Sequence, residues 1–310
     1  MEENINGTYL NTNSYSINAT YCTPKTGKKD NSSLITAVHG IGFNSQYWNF
    51  AYAPEYSLVN QATSAGYDIL LYDRLGTGGS STPTNGLDEP QAATEVSILA
   101  GILQRARNGT LINGTSFDRV VAVGHSYGSI QVQALTAQAP ELLDGAVLTG
   151  YSTSTASIVQ FLLGAAFEPA ARVLPNTFAS KPRVWLAAGS NASIVQNFLW
   201  PPNYAQGAFD VAYAGGDTVS LGGLFSLASV TANATRFTGP LFVLTGERDL
   251  PFCGNDCTTG DKVTSVQQLY PATSNFTSKL VNETGHGLTV HYTGPQSQRD
   301  IVQFFIDNGL

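Results

Sequence analysis

Residues 119–140 read RVVAVGHSYGSIQVQALTAQAP, with one serine between glycines in Gly124-His125-Ser126-Tyr127-Gly128. The apolar run Val120–Val123 ahead of it reads as a buried strand. Behind it, Ile130, Ala134 and Ala137 recur at helical spacing, and Pro140 is placed to stop the run. Ser126 therefore falls on a strand-to-helix turn. A sharp turn of this kind forces the positions two residues away on each side to be small, so that strand and helix can pass each other. Gly124 and Gly128 meet that demand. The plainer alternative is a glycine-rich turn whose serine only caps the helix.

The rest of the chain supplies a sheet to receive this strand. Ser33–His39, Tyr67–Tyr72, Val120–Val123, Ala146–Thr149 and Leu241–Thr245 are apolar runs without strict alternation, and Lys279–Val281 is a shorter candidate. Such runs fit parallel strands covered on both faces. Ala92, Val96, Leu99 and Leu103 repeat at helical spacing after Asp88-Glu89-Pro90, and Gln296–Asn308 reads as a closing helix. From Tyr151 to Phe237 the rhythm changes to Ala, Ser, Gly and aromatics, with apolar helical stretches such as Ile158–Phe167. This stretch is expected to be an insertion over a cleft, with an ordinary core subdomain as the alternative.

A serine hydroxyl attacks only when a base removes its proton. Of the four histidines, His125 adjoins Ser126 along the backbone, His39 ends a strand and His291 lies in a mixed polar stretch. His286 remains, in a loop where Gly285 and Gly287 give it room to reach the serine. The base in turn needs an acceptor to fix its tautomer. Asp249 follows the strand candidate Leu241–Thr245 at a distance that lets it curl back over the sheet edge. Glu247 and Asp256 are its rivals.

The order Ser126, Asp249, His286, together with three further motifs, resembles secreted fungal α/β hydrolases of the serine-nucleophile branch, over nearly the whole chain. His39-Gly40-Ile41-Gly42 is similar to that family's oxyanion loop. Asp73-Arg74-Leu75-Gly76-Thr77-Gly78-Gly79-Ser80 is similar to its Asp-x-x-Gly-x-Gly-x-Ser turn, and GHSYG to its nucleophile elbow. The resemblance implies an α/β-hydrolase fold, a mostly parallel central sheet flanked by helices. Its core would take residues 1–150 and 238–310, and a mainly helical cap residues 151–237. It further implies an oxyanion hole built from the N–H groups of Ile41 and Tyr127, with His39 and Asp73 organising loops. Gly40 and Trp200 are the expected substrate contacts.

A serine at the elbow leaves esters, lactones and thioesters as substrates, and the fold alone does not choose among them. Apolar walls with little charge favour an uncharged small ester or lactone, cleaved through an acyl-enzyme with neither metal nor cofactor. A hydroxynitrile lyase-like enzyme, which would draw on Lys181, is one alternative. A hydrolase-fold protein that binds its ligand with little or no turnover is another.

Composition narrows the surroundings. A net charge of −7 provides no basic stripe for nucleic acid, and no apolar run approaches a membrane span. Asn-x-Ser/Thr sites begin at Asn6, Asn18, Asn31, Asn108, Asn113, Asn191, Asn233, Asn275 and Asn282. Chance would give roughly 4 in a chain this rich in serine and threonine, so N-glycans and a secreted location are expected. Met1-Glu2-Glu3-Asn4 has neither the basic nor the apolar region of a signal peptide, which is therefore expected to be absent from this sequence. Of the three cysteines, Cys253 and Cys257 are close enough to pair in an oxidising compartment, leaving Cys22 free. Zinc would need four ligands, and two cysteines without a nearby partner pair fall short.

Overall fold

The computed structural model describes residues 10–25 and 33–310. The strands there are β1 (Ala19–Cys22), β2 (Ser33–Val38), β3 (Asp68–Tyr72), β4 (Arg119–His125), β5 (Gly145–Thr149), β6 (Glu168–Pro169), β7 (Trp185–Ala187), β8 (Val219–Ser220), β9 (Leu241–Gly246) and β10 (Phe276–Val281). The helices are α1 (Leu58–Ser64), α2 (Ala92–Arg107), α3 (Tyr127–Gln138), α4 (Ile158–Ala165), α5 (Ala170–Val173), α6 (Pro175–Phe178), α7 (Asn191–Phe198), α8 (Gln206–Ala214), α9 (Leu221–Ser226), α10 (Leu250–Cys253) and α11 (Gly294–Asp307).

Seven strands form one sheet in the order β1-β3-β2-β4-β5-β9-β10. Only β1 runs antiparallel; the remaining neighbours pair parallel. Every residue of β2, β3, β5 and β9 is buried, which explains why these segments read as continuous apolar runs. The chain steps one way from β2 to β3 and the other way from β4 through β5 and β9 to β10. Parallel crossovers are right-handed, so α1 covers one face while α2 and α3 cover the other. The observed pairings agree: α1 packs with α11, and α2 with α3.

The reversal between β2 and β4 positions the site. These strands are neighbours, with Val38 opposite Gly124. Loops leaving their C-terminal ends diverge and open a crevice, the usual ligand position in open α/β sheets. The His39–Gly42 loop and the Ser126 turn both start there.

Residues 151–237 run between β5 and β9 and carry α4 to α9. They also form an antiparallel three-stranded sheet, β6-β7-β8, beyond the mainly helical content expected from sequence. The segment is tied to the core. Ser226 at the end of α9 accepts from the Ala92 N–H at the start of α2, at 2.8 Å, so the cap of α2 comes from a distant part of the chain.

Candidate active site

Ser126 has φ 55° and ψ −117°, a left-handed conformation rare for a residue with a side chain. Tight packing around the turn holds it there. A Cβ on Gly128 would lie 2.2 Å from the Val38 carbonyl oxygen, and one on Gly124 would lie 2.5 Å from the Gly128 backbone. Neither position admits any other residue without separating β2, β4 and α3. Gly40 obeys the same constraint from the neighbouring loop, since its Cβ would stand 2.9 Å from that of Ser126.

The three expected catalytic side chains meet in one hydrogen-bonded row. His286 Nε2 is 2.7 Å from Ser126 Oγ, and His286 Nδ1 is 2.6 Å from Asp249 Oδ2. A carboxylate only accepts, so Nδ1 carries the proton and Nε2 is left bare for the serine hydroxyl. Ser126 is 7% exposed, and His286 and Asp249 are fully buried. The second carboxylate oxygen, Asp249 Oδ1, accepts the Phe252 N–H at 2.9 Å and caps α10. Glu247 accepts instead from the Glu283 N–H, and Asp256 from Thr258, so neither rival meets His286.

Neighbouring groups fix the loops. His39 Nε2 accepts the Arg74 N–H at 3.0 Å, and burial beside the Arg74 guanidinium pulls its pKa down to about 3, which keeps it neutral. Burial alone would raise the Asp73 carboxyl. Hydrogen bonds from Asn18, Ser45 and Gly79 outweigh that and hold it below its ordinary value. His125 stacks on Tyr47 at 4.3 Å, and burial with His286 and His39 nearby pushes its pKa far down. His291, passed over in the sequence, clamps the His286 loop from both sides. Its Nε2 accepts from Gly285 N–H at 3.1 Å, and its Nδ1 donates to the Gly287 carbonyl at 3.0 Å.

Ile41 follows Gly40 on the loop against Ser126, and Tyr127 opens α3, where the first amide N–H groups have no partner inside the helix. A strained serine on a strand-to-helix turn, an acid after β9 and a histidine after β10 form one constellation. The sequence profile described as the Alpha/beta hydrolase family matches residues 37–297, a span that holds all of these positions. The chain belongs to the α/β hydrolase family.

Solved structures agree on the fold of this α/β hydrolase. A monoacylglycerol lipase from Paleococcus ferrophilus aligns with TM-score 0.61 and 16% identity, over 94% of this chain and 99% of its own. A carboxylesterase structure from the Thaumarchaeon Nitrososphaera gargenis gives 0.64 and 13%, over 97% of each chain. A soluble variant of monoglyceride lipase from Saccharomyces cerevisiae, in complex with a substrate analog, gives 0.66 and 12%, over 97% and 94%. A comparison with curated protein sequences returned no match.

Aromatic rings surround His286 of the hydrolase: Phe198 at 5.7 Å, Phe252 at 5.8 Å and the His125 imidazole at 4.9 Å. Trp200, the other expected substrate contact, has polar partners of its own: its indole N–H donates to Glu283 at 3.0 Å and the Arg248 guanidinium lies 5.2 Å over its ring. Phe198, two residues earlier, takes the position over the histidine; no sequence signal separated the two. Gly150 was also missed: a Cβ there would press on both His125 and His286 within 3.0 Å. The Lys181 ammonium donates to the Gly76 carbonyl and to Thr82, which engages it away from the triad. Among the described residues, no cluster of His, Cys, Asp and Glu is suited to a metal ion, and no helix is long and apolar enough to cross a membrane.

Proposed function

We propose that this α/β hydrolase is a carboxylic ester hydrolase acting on an uncharged small ester or lactone, with Ser126 as nucleophile, His286 as general base and acid, and Asp249 as the orienting carboxylate. The observation that carries the reading is the buried row Asp249–His286–Ser126, with both hydrogen bonds under 2.8 Å on a strained turn. His286 Nε2 takes the hydroxyl proton as Oγ bonds to the carbonyl carbon. The resulting oxyanion is held by the N–H groups of Ile41 and Tyr127, each such donor being worth about 3 kcal/mol. The C–O bond then breaks, and the departing alcohol takes the proton from His286. Water, deprotonated by the same imidazole, attacks the acyl carbon; the bond from that carbon to Ser126 Oγ breaks, the serine takes the proton back from His286, and the acid leaves. The lipase and carboxylesterase names of the structural neighbours support ester chemistry, and the aromatic surroundings of His286 offer little to a charged substrate.

A fluorophosphonate should label Ser126, and Ser126→Ala should abolish turnover of a short nitrophenyl ester while leaving the melting temperature within about 2 °C. Label on another serine, or residual turnover within tenfold of wild type, defeats the assignment.

We also infer that the protein is secreted and N-glycosylated. The seven sequon asparagines within the described residues, Asn18, Asn108, Asn113, Asn191, Asn233, Asn275 and Asn282, are all exposed; Asn6 and Asn31 lie outside those residues. The Cys253–Cys257 disulfide supports an oxidising compartment, with Cys22 left free. Expressed in a eukaryotic secretory host, the chain should lose mass on enzymatic deglycosylation; an unchanged mass overturns the inference.

A further inference from the structure

A cavity of about 130 Å³ lies beside the triad without including it. Val173, Leu174, Phe178, Ile194, Ala212 and Val290 contribute much of its wall. The one carboxylate there, Asp217, is already engaged: its oxygens accept from the N–H groups of Gly78 and Thr218, each at 2.7 Å, and from the Asn44 amide at 3.2 Å. The chamber therefore offers a mostly hydrocarbon surface, with Ser190 and Tyr213 among its polar lining and no free charge to pair. An apolar cavity on the order of 150 Å³ accepts a molecule the size of benzene.

Phe198 belongs to both sides of the partition. Its ring lines the cavity and lies 5.7 Å from the His286 ring. It meets Phe43, another lining residue, edge to face at 5.4 Å, and its Cζ comes within 3.5 Å of a Cβ built on Gly42 in the expected oxyanion loop. The ring thus spans the gap from that loop to the histidine. Its backbone is pinned, because the Phe198 carbonyl accepts the Gly287 N–H at 2.6 Å beside His286. Turning its side-chain torsions, against the edge-to-face packing of Phe161 at 6.0 Å, opens the passage with least change to the backbone.

We propose that this cavity receives a hydrocarbon group of the ester, of about benzene size, and that Phe198 is the specificity-determining residue whose ring turns aside to admit it. The proposal rests on the reading of Ser126 as an esterase nucleophile and adds the substrate class. Rotation of one buried ring carries the group in; the bonds made and broken remain those of ester hydrolysis. Filling the chamber from α7 with Ile194→Trp removes the space without altering Ser126, His286 or Asp249. Removing the partition with Phe198→Ala joins the chamber to the triad.

The experiment measures kcat/KM in two series, nitrophenyl phenylacetate against nitrophenyl acetate, and benzyl acetate against ethyl acetate, for wild type and both variants. In the series whose varied group enters the cavity, the large-to-small ratio should fall at least tenfold in Ile194→Trp and rise at least threefold in Phe198→Ala. Ratios unchanged in both series and both variants overturn the proposal. A second readout needs no turnover: toluene should raise the melting temperature of the wild type, and raise that of Ile194→Trp, or of Ala212→Leu should the tryptophan variant not fold, by less than half as much. A wild type that hydrolyses no ester sinks the esterase reading while the toluene shift still decides the cavity. Equal shifts in wild type and filled variant, or no shift in the wild type, sink the cavity.

Discussion

Arg74 is fully buried, and an unpaired guanidinium in that position would be strongly unfavourable. It is held by Glu95 at 3.0 Å, by the Gly40 carbonyl at 3.2 Å and by the face of the Tyr127 ring, 4.6 Å away. The Gly40 carbonyl shares its peptide unit with the Ile41 N–H, and a trans peptide keeps the two pointing opposite ways. Drawing the carbonyl toward Arg74 therefore fixes the direction of one expected oxyanion donor, while the ring beneath the guanidinium belongs to the residue that carries the other. Burial raises the Glu95 carboxyl, against the pull of Arg74, so each charge depends on its partner. Arg74→Leu or Glu95→Leu alone should lower the unfolding free energy by about 3–5 kcal/mol in urea titration, because each leaves a stranded buried charge. The double leucine variant should cost clearly less than the two singles added. In Arg74→Leu, kcat should fall more than KM rises; strictly additive stabilities, or a purely KM effect, would count against this role.

Helix α10 has four residues, too few to hold itself, and Asp249, the proposed orienting acid, stands at its start. Three devices close it: the Asp249 cap on Phe252, the Cys253–Cys257 disulfide, and Lys262, whose ammonium donates to the carbonyls of Cys253 and Asp256. A five-residue covalent loop is worth about 2 kcal/mol by chain entropy. Replacing both cysteines by serine should remove about that much stability, and kcat should drop severalfold with KM little changed as Asp249 loosens. Thermal melts and steady-state kinetics on the double variant check this, and full activity with unchanged stability would show the loop to be held without its disulfide. The elements that sequence revealed are those with a strong local signature. β2 to β5 and β9 are buried on both faces and announce themselves by apolar runs, and the elbow by its two glycines. β1 is a short, partly exposed edge strand, and β6 to β8 have two or three residues each, so none has a readable period. The site followed the same rule. Chain order led to Ser126, Asp249 and His286, whereas the choice between Phe198 and Trp200 depended on how α7 ends, and the clamp by His291 on a fold that brings Gly285 and Gly287 around one ring.

At the scale of the whole molecule, three buried histidines are held neutral around one site. Burial brings His291 down to about 4 and, with Arg74, His39 to about 3, and His125 lies well below its ordinary value. Their neutral forms are built into the hydrogen bonds, since His291 Nε2 accepts from two backbone N–H groups and His39 Nε2 from one. The unfolded chain takes up these protons near pH 6.5, and the folded chain does so only some units lower. Between those values the unfolded state binds more protons, so stability is full above pH 6.5 and declines as the pH falls toward 4. Each such histidine tilts the unfolding free energy by about 1.4 kcal/mol per pH unit within its window. Glu95 and Asp217, whose carboxyls burial raises, work in the opposite direction at the acid end of the range. Asp73, held down by its hydrogen bonds, acts with the histidines at that end, so the histidines set the direction between pH 6.5 and pH 4. The melting temperature should therefore fall continuously from pH 6.5 to pH 4 at constant ionic strength. His291→Gln, whose amide can keep one backbone hydrogen bond but does not titrate, should start from a lower value and fall less steeply. A wild-type melting temperature that stays flat over this interval, or a variant with the same slope, would mean that these imidazoles are not held neutral in the folded protein.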